Sequence, residues 1–87
     1  MKYKVWFRNW ANESISFTVD EADYQVTAQG KFIEFLEGGT YEITARPTND
    51  SSYVPVRKEF IINDYCVIDC SVNAELHELE LKNPLAT

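Results

Sequence analysis

Three groups of residues in this chain have types and spacings that could do chemistry. The first is Asp20-Glu21-Ala22-Asp23, inside the stretch Thr18 to Val26. Its carboxylates are of the kind that hold Mg²⁺ for ATP hydrolysis, where Asp-Glu-Ala-Asp is a helicase motif, or Ca²⁺, which takes ~6–8 oxygen ligands. The second is Cys66 and Cys70 with His77, soft ligands of the kind zinc prefers. The third is Trp6 and Trp10 with Lys4 and Arg8. Trp and Arg are the side chains that most often anchor interfaces, and a flat indole also stacks on sugar rings.

Each group depends on companions. Nucleotide hydrolysis by an acidic motif needs a glycine-rich loop ending in Gly-Lys-Ser/Thr to cradle the phosphates, and the chain has none. A Ca²⁺ site at Asp20, Glu21 and Asp23 lacks the D-x-[DN]-x-[DN]-G loop and needs a further carboxylate such as Asp64 or Asp69. A solvated acidic turn requires nothing extra, because Asp tolerates turn geometry. On a strand, Cys66 and Cys70 share a face about 13 Å apart, beyond the ~7 Å limit for a disulfide and the sulfur spacing of a zinc site. Two thiols and His77 also leave one zinc ligand missing. The cysteines therefore read as small apolar residues flanking Ile68. As a general base, His77 has no accompanying nucleophile motif of the G-x-S-x-G type.

The residue balance limits the partners. The 87 residues imply one domain spanning 1–87, with a radius of gyration of about 12 Å and little room for a deep cleft. Eight basic residues against fourteen acidic ones leave a net charge of −6. Nucleic-acid affinity is dominated by Lys and Arg contacts to phosphate, so neither nucleic acid nor an anionic membrane is an expected partner. Apolar residues in Met1–Trp10 alternate with charges, unlike a signal peptide core. With two free thiols, this points to a cytoplasmic chain, or to a domain cut from a secreted parent. Asn12-Glu13-Ser14 and Asn49-Asp50-Ser51 fit the glycosylation sequon, which matters only in a secretory pathway.

The elements that must position these residues show period-two alternation. Tyr3-Val5-Phe7, Ile15-Phe17-Val19, Tyr24-Val26-Ala28, Tyr41-Ile43-Ala45, Val56–Ile62 and Cys66–Val72 read as strands, and Phe32–Leu36 is apolar on both faces. Gln29-Gly30, Gly38-Gly39 and Asn63-Asp64 read as tight connections of hairpin type, Asp20–Asp23 as another turn, and Pro47–Pro55 as a longer loop. The segment from Asn73 to Pro84 fits an eighth strand better than a helix, with Leu76 reaching the face of Leu79 and Leu81 only through a bulge. The expected fold is one all-β antiparallel sandwich of seven to eight strands.

The segment F-L-E-G-G-T-Y-E-I-T-A-R-P followed by S-Y-V-P-V-R-K-E-F-I-I-N-D-Y resembles PEGA domains and carboxypeptidase-regulatory-like domains over about residues 33–72. Gly39, Thr40, Tyr41, Ile43 and Ala45 match their G-T-Y pattern. Tyr53-Val54-Pro55 and Ile62-Asn63-Asp64 match the elements around the next strand. Leu36-Glu37-Gly38-Gly39 stands where the Pro-Glu-Gly-Ala tetrad would be. The resemblance implies an Ig-like or transthyretin-like sandwich and a non-catalytic accessory or adhesion role.

Only one face of a sandwich strand meets the core. Of the two sets on the first strand, Tyr3-Val5-Phe7 and Lys4-Trp6-Arg8-Trp10, one is therefore exposed, or is covered by a loop or the C-terminal segment. The expected function is a protein–protein interaction module without enzymatic activity, metal or cofactor, self-associating through the Trp face or a sheet edge. The alternative is a carbohydrate-binding module using Trp6 and Trp10.

Overall fold

The computed structural model describes residues 1–49 and 53–85. Eight strands follow in chain order: β1 (Lys2–Asn9), β2 (Ile15–Val19), β3 (Ala22–Val26), β4 (Lys31–Glu37), β5 (Gly39–Pro47), β6 (Val56–Ile62), β7 (Cys66–Asn73) and β8 (Glu78–Lys82). They form two four-stranded sheets of order β4-β1-β7-β8 and β3-β2-β5-β6. The Cα radius of gyration is 12.2 Å.

Alternation in the sequence becomes the two faces of each sheet. Val5, Phe7, Ile15, Phe17, Ile43, Ile62, Ile68 and Cys70 are fully buried between the sheets. Burying each large apolar side chain contributes about 1.5–3 kcal/mol. Phe7 joins the layers, with its ring centroid 5.4 Å from Phe17 and 6.1 Å from Tyr24. Tyr24 lies 4.8 Å from Phe32 and continues the aromatic contact towards the β3 and β4 edges. Leu79 and Leu81 close the opposite side from β8. Leu76 forms no bulge; it stands exposed in the turn before β8, where the Asn73 side chain accepts hydrogen bonds from the Glu75 and Leu76 amides.

The pairing differs from expectation in direction and connection. Five ladders are antiparallel, but β1 and β7 pair in parallel, with Val5 opposite Cys66 and Asn9 opposite Cys70. The Gln29-Gly30, Gly38-Gly39 and Asn63-Asp64 connections do not close hairpins; each carries the chain from one sheet to the other. Turn residues reverse the chain but do not determine whether the next strand pairs with the last one or crosses the core. Gly39 takes φ 156°, a conformation open to glycine, and turns β4 into β5. At Gly30 a Cβ would lie 2.8 Å from the Thr27 hydroxyl, which holds this corner to glycine. That corner also ends the third strand early: β3 stops at Val26, and Ala28 is exposed in the turn rather than continuing the inward row.

Candidate functional site

Asp20-Glu21-Ala22-Asp23 is divided between a turn and a strand. Asp20 and Glu21 form the two-residue connection of the β2–β3 hairpin, with Val19 paired to Ala22. Asp20 takes φ 53°, which Asp accommodates better than most residues. Asp23 already belongs to β3, accepts a hydrogen bond from the Thr18 hydroxyl and lies 3.8 Å from the Arg46 guanidinium. Among the described residues, no three His, Cys, Asp or Glu side chains converge on a point. The tetrad's carboxylates thus serve a hairpin and a solvent-exposed ion pair.

The cysteines lie on the inward face of β7 on either side of Ile68, as free thiols. Burial raises the Cys66 thiol and pushes Cys70 up to about 12. A thiol must ionise to act as a nucleophile or metal ligand, so both are suppressed. His77 stands in the β7–β8 turn at φ 52°, its ring stacked 6.3 Å from Tyr53. Asn12 of the first sequon is exposed between β1 and β2, while Asp50 and Ser51 of the second lie outside the described residues.

The Trp group is brought together with more than the sequence indicated. Core packing of Val5 and Phe7 turns Lys4, Trp6, Arg8 and Trp10 to the outer face of the sheet. Among the described residues the C-terminal segment does not cover them, because β8 lies beside β7 in the same sheet. Register sets Trp6 between Ile33 of β4 and Val67 of β7, and Lys4 beside Phe35. Trp10, Ile33 and Phe35 are 52%, 38% and 54% exposed, so an apolar band crosses β4 and β1. Ile33 and Phe35 were legible as the second apolar face of β4. Val67 lies opposite Trp6 on the same face but is buried, so it supports the indole without adding exposed surface to the band.

Cations frame the aromatics. Lys4 and Lys31 lie 5.5 and 5.2 Å from the Trp6 ring centroid, and Arg8 lies 5.2 Å from that of Trp10. Arg8 also donates two hydrogen bonds to Asp69, at 2.5 and 2.7 Å. That contact raises the guanidinium's pKa against the opposing effect of burial. Because Arg8 and Lys31 are register partners, their repulsion is relieved by this bidentate pairing. Lys2, Lys4, Arg8, Lys31 and Lys82, five of the eight basic residues, share this face with Glu37, Asp69, Glu78 and Glu80, and the bases gather around the indoles on β1 and β4.

Two shallow depressions flank Arg8 and Lys31. One of about 350 Å³ is lined by Arg8, Asn9, Trp10, Gln29, Gly30 and Lys31. The other, about 210 Å³, runs between Trp6, Tyr65 and Val67. The first has a built floor. The buried Asn9 amide donates to the carbonyls of Glu13, Val26 and Thr27, and its oxygen accepts from the Ala11 amide. Gln29 donates to the carbonyls of Trp10 and Ala11, holding the chain that carries the exposed indole. Neither Asn9 nor Gln29 was distinguished by sequence; both are single polar residues whose role depends on three chain segments meeting. No protein-family model matches the chain, and no curated protein matches it by sequence.

Proposed function

We propose that this chain is a non-catalytic, Ig-like interaction module that takes a protein partner on the outer face of the β4-β1-β7 strands. Trp6, Trp10, Ile33 and Phe35 supply apolar contact, while Lys4, Arg8 and Lys31 select an acidic surface. The observation that carries this reading is the contiguous exposed band, with half-exposed Trp10 and Phe35 inside a cationic frame. Apolar patches rimmed by charge mark interaction surfaces more often than chance exposure does, and aromatics with Arg dominate binding energy. The suppressed thiols at Cys66 and Cys70 support a role without nucleophilic chemistry. Two free thiols support a reducing compartment, and among the described residues no helix is long and apolar enough to cross a membrane. The G-T-Y stretch supports kinship with PEGA-type accessory domains, since Gly39 turns a corner there and Ile43 and Ala45 face inward.

Partner capture by the immobilised chain tests the reading. Trp10→Ala and Phe35→Ser should each abolish capture while keeping the melting temperature. Ile61→Ser on the opposite sheet should leave capture intact. Equal loss at Ile61, or retention at Trp10 and Phe35, would refute it. A glycan ligand is the second reading, favoured by the depression beside Trp10 with Gln29 and Arg8 at its rim. Titration with soluble oligosaccharides should then protect Trp10 fluorescence from quenching.

A further inference from the structure

We infer that β4 is a self-complementary sheet edge, and that two copies of this chain pair through it into one continuous eight-stranded sheet. The inference does not depend on what the Trp face binds.

The backbone determines which groups are free. Asn9 donates to the Gly30 carbonyl at 2.9 Å, and Gly38 donates to the Met1 carbonyl at 3.3 Å. With Phe7 opposite Phe32, Val5 opposite Glu34 and Tyr3 opposite Leu36, antiparallel alternation assigns the even-numbered residues of β4 to β1. Lys31, Ile33 and Phe35 therefore direct their amide and carbonyl groups away from the sheet, as Glu37 does its amide; the Glu37 carbonyl already accepts from the Tyr41 hydroxyl at 2.6 Å, so the strand's far end pairs through one hydrogen bond fewer. Phe35 shows this directly: its amide, unused by β1, donates to the Glu34 carboxylate at 3.0 Å.

A second β4 can use these groups in one register that engages the whole strand. Running antiparallel about a twofold axis at Glu34, Lys31 faces Glu37, Phe32 faces Leu36 and Ile33 faces Phe35, each pair occurring twice. Opposite charges meet at the ends, where Lys31 of the second copy competes with the Met1 ammonium that lies 3.3 Å from the Glu37 carboxylate, and apolar side chains meet on both faces. Only Glu34 meets its own kind. Its carboxylate, now capping Phe35, makes the pairing weak and reversible; inward charges of this sort are a common guard against edge pairing.

The other edges are less suited. The free side of β8 is already taken by Val54, which donates to the His77 carbonyl and accepts from the Leu79 amide. A self-paired β6 would set Arg57 against Ile61 and Lys58 against Phe60. The five residues of β3 carry Asp23, which is engaged with Arg46. The β4 edge also brings the exposed Ile33 and Phe35 of each copy against their counterparts.

Sedimentation of the full chain across a concentration series tests the inference. The wild type should show a monomer–dimer equilibrium. Lys31→Glu sets acid against Glu37, and Glu37→Lys sets base against Lys31; each should weaken dimerisation about tenfold, from two like-charged pairs per dimer. An equimolar mixture of the two variants should form a heterodimer, and the double variant should recover homodimerisation. Glu34→Gln should tighten it. Trp10→Ala should leave dimerisation unchanged while abolishing partner capture, so the two proposals fail separately. Lys31 and Glu37 are exposed and Glu34 is half-buried, and a melting curve for each variant verifies folding. A wild type that stays monomeric, or single variants that fail to complement one another in the mixture, would overturn the inference.

Discussion

Asn9 offers the most exacting test of how this fold is held. It is 1% exposed and ends β1, where the chain leaves the sheet for β2. Its amide nitrogen meets carbonyls at 2.8, 3.1 and 3.1 Å, and its oxygen meets the Ala11 amide at 2.8 Å. Replacement by Ala strands the buried Ala11 amide, while the Val26 carbonyl keeps the Ile15 amide across the β2–β3 ladder and Glu13 and Thr27 can recruit water. One stranded group at ~1–3 kcal/mol gives a loss of about 2 kcal/mol. For a chain of this length that lowers the melting temperature by roughly 10 °C. Asn9→Asp is the sharper variant. It keeps the shape and the acceptor for Ala11 but removes both donors and aims a carboxylate at three carbonyl oxygens. Its loss should exceed that of Asn9→Ala at neutral pH. The sign with pH follows from linkage: the introduced carboxyl group has a folded pKa above its unfolded value of ~3.9. The penalty is therefore absent below the unfolded pKa and grows as pH rises towards the folded value. Urea unfolding followed by circular dichroism at pH 4 and pH 7 measures both. If Asn9→Asp is no worse than Asn9→Ala at pH 7, or is no better off at pH 4, the donor role assigned to Asn9 is wrong.

The buried thiols make a kinetic prediction. With Cys70 pushed up to about 12, a thiol reagent at mildly alkaline pH should label it only as fast as the protein opens, and unfolding in urea should accelerate labelling by orders of magnitude; prompt labelling of the folded protein would contradict its placement. The Arg8–Asp69 pair should contribute about 1 kcal/mol in a double-mutant cycle with Arg8→Ala and Asp69→Ala, because Asp69 is nearly buried while Arg8 keeps some water. A coupling near zero would mean that the two hydrogen bonds offset little of their desolvation.

The strands and their faces were legible because alternation is set by the pleat, and the burial of Val5 and Phe7 then dictates that Trp6 and Trp10 look outward. Partnership was not legible in the same way. Nothing in K-V-W-F-R or C-V-I-D states that Arg8 will lie beside Asp69, because that contact depends on residues 61 apart in sequence, on two strands running the same way. The corners at Gly30 and Gly39 were visible as breaks, but their conformations, not their composition, send the chain across the core. Ala28 shows the converse: its alternation with Val26 reads as strand, but β3 stops at Val26 and the chain turns through Ala28 and Gln29, the latter at φ 61°. The site followed the same division. Its aromatic and cationic residue types could be read, whereas the floor of Asn9 and Gln29 required three segments to converge.

The parallel ladder between β1 and β7 also orders events in time. On a ribosome, residues 2–9 emerge long before 66–73, and β1 occupies an interior place in its sheet. Until β7 appears, the even-numbered backbone groups of β1 lack their partners, and the inner surfaces of Val5 and Phe7 are flanked on one side only. The second sheet has all four of its strands by residue 62. Pairings of such long sequence separation form late and slowly, and half-made sheets associate wrongly when crowded. Synthesis of this chain therefore passes through an interval in which β1 is finished and its protection is not, which makes the pace of translation between Ile62 and Asn73 a determinant of yield.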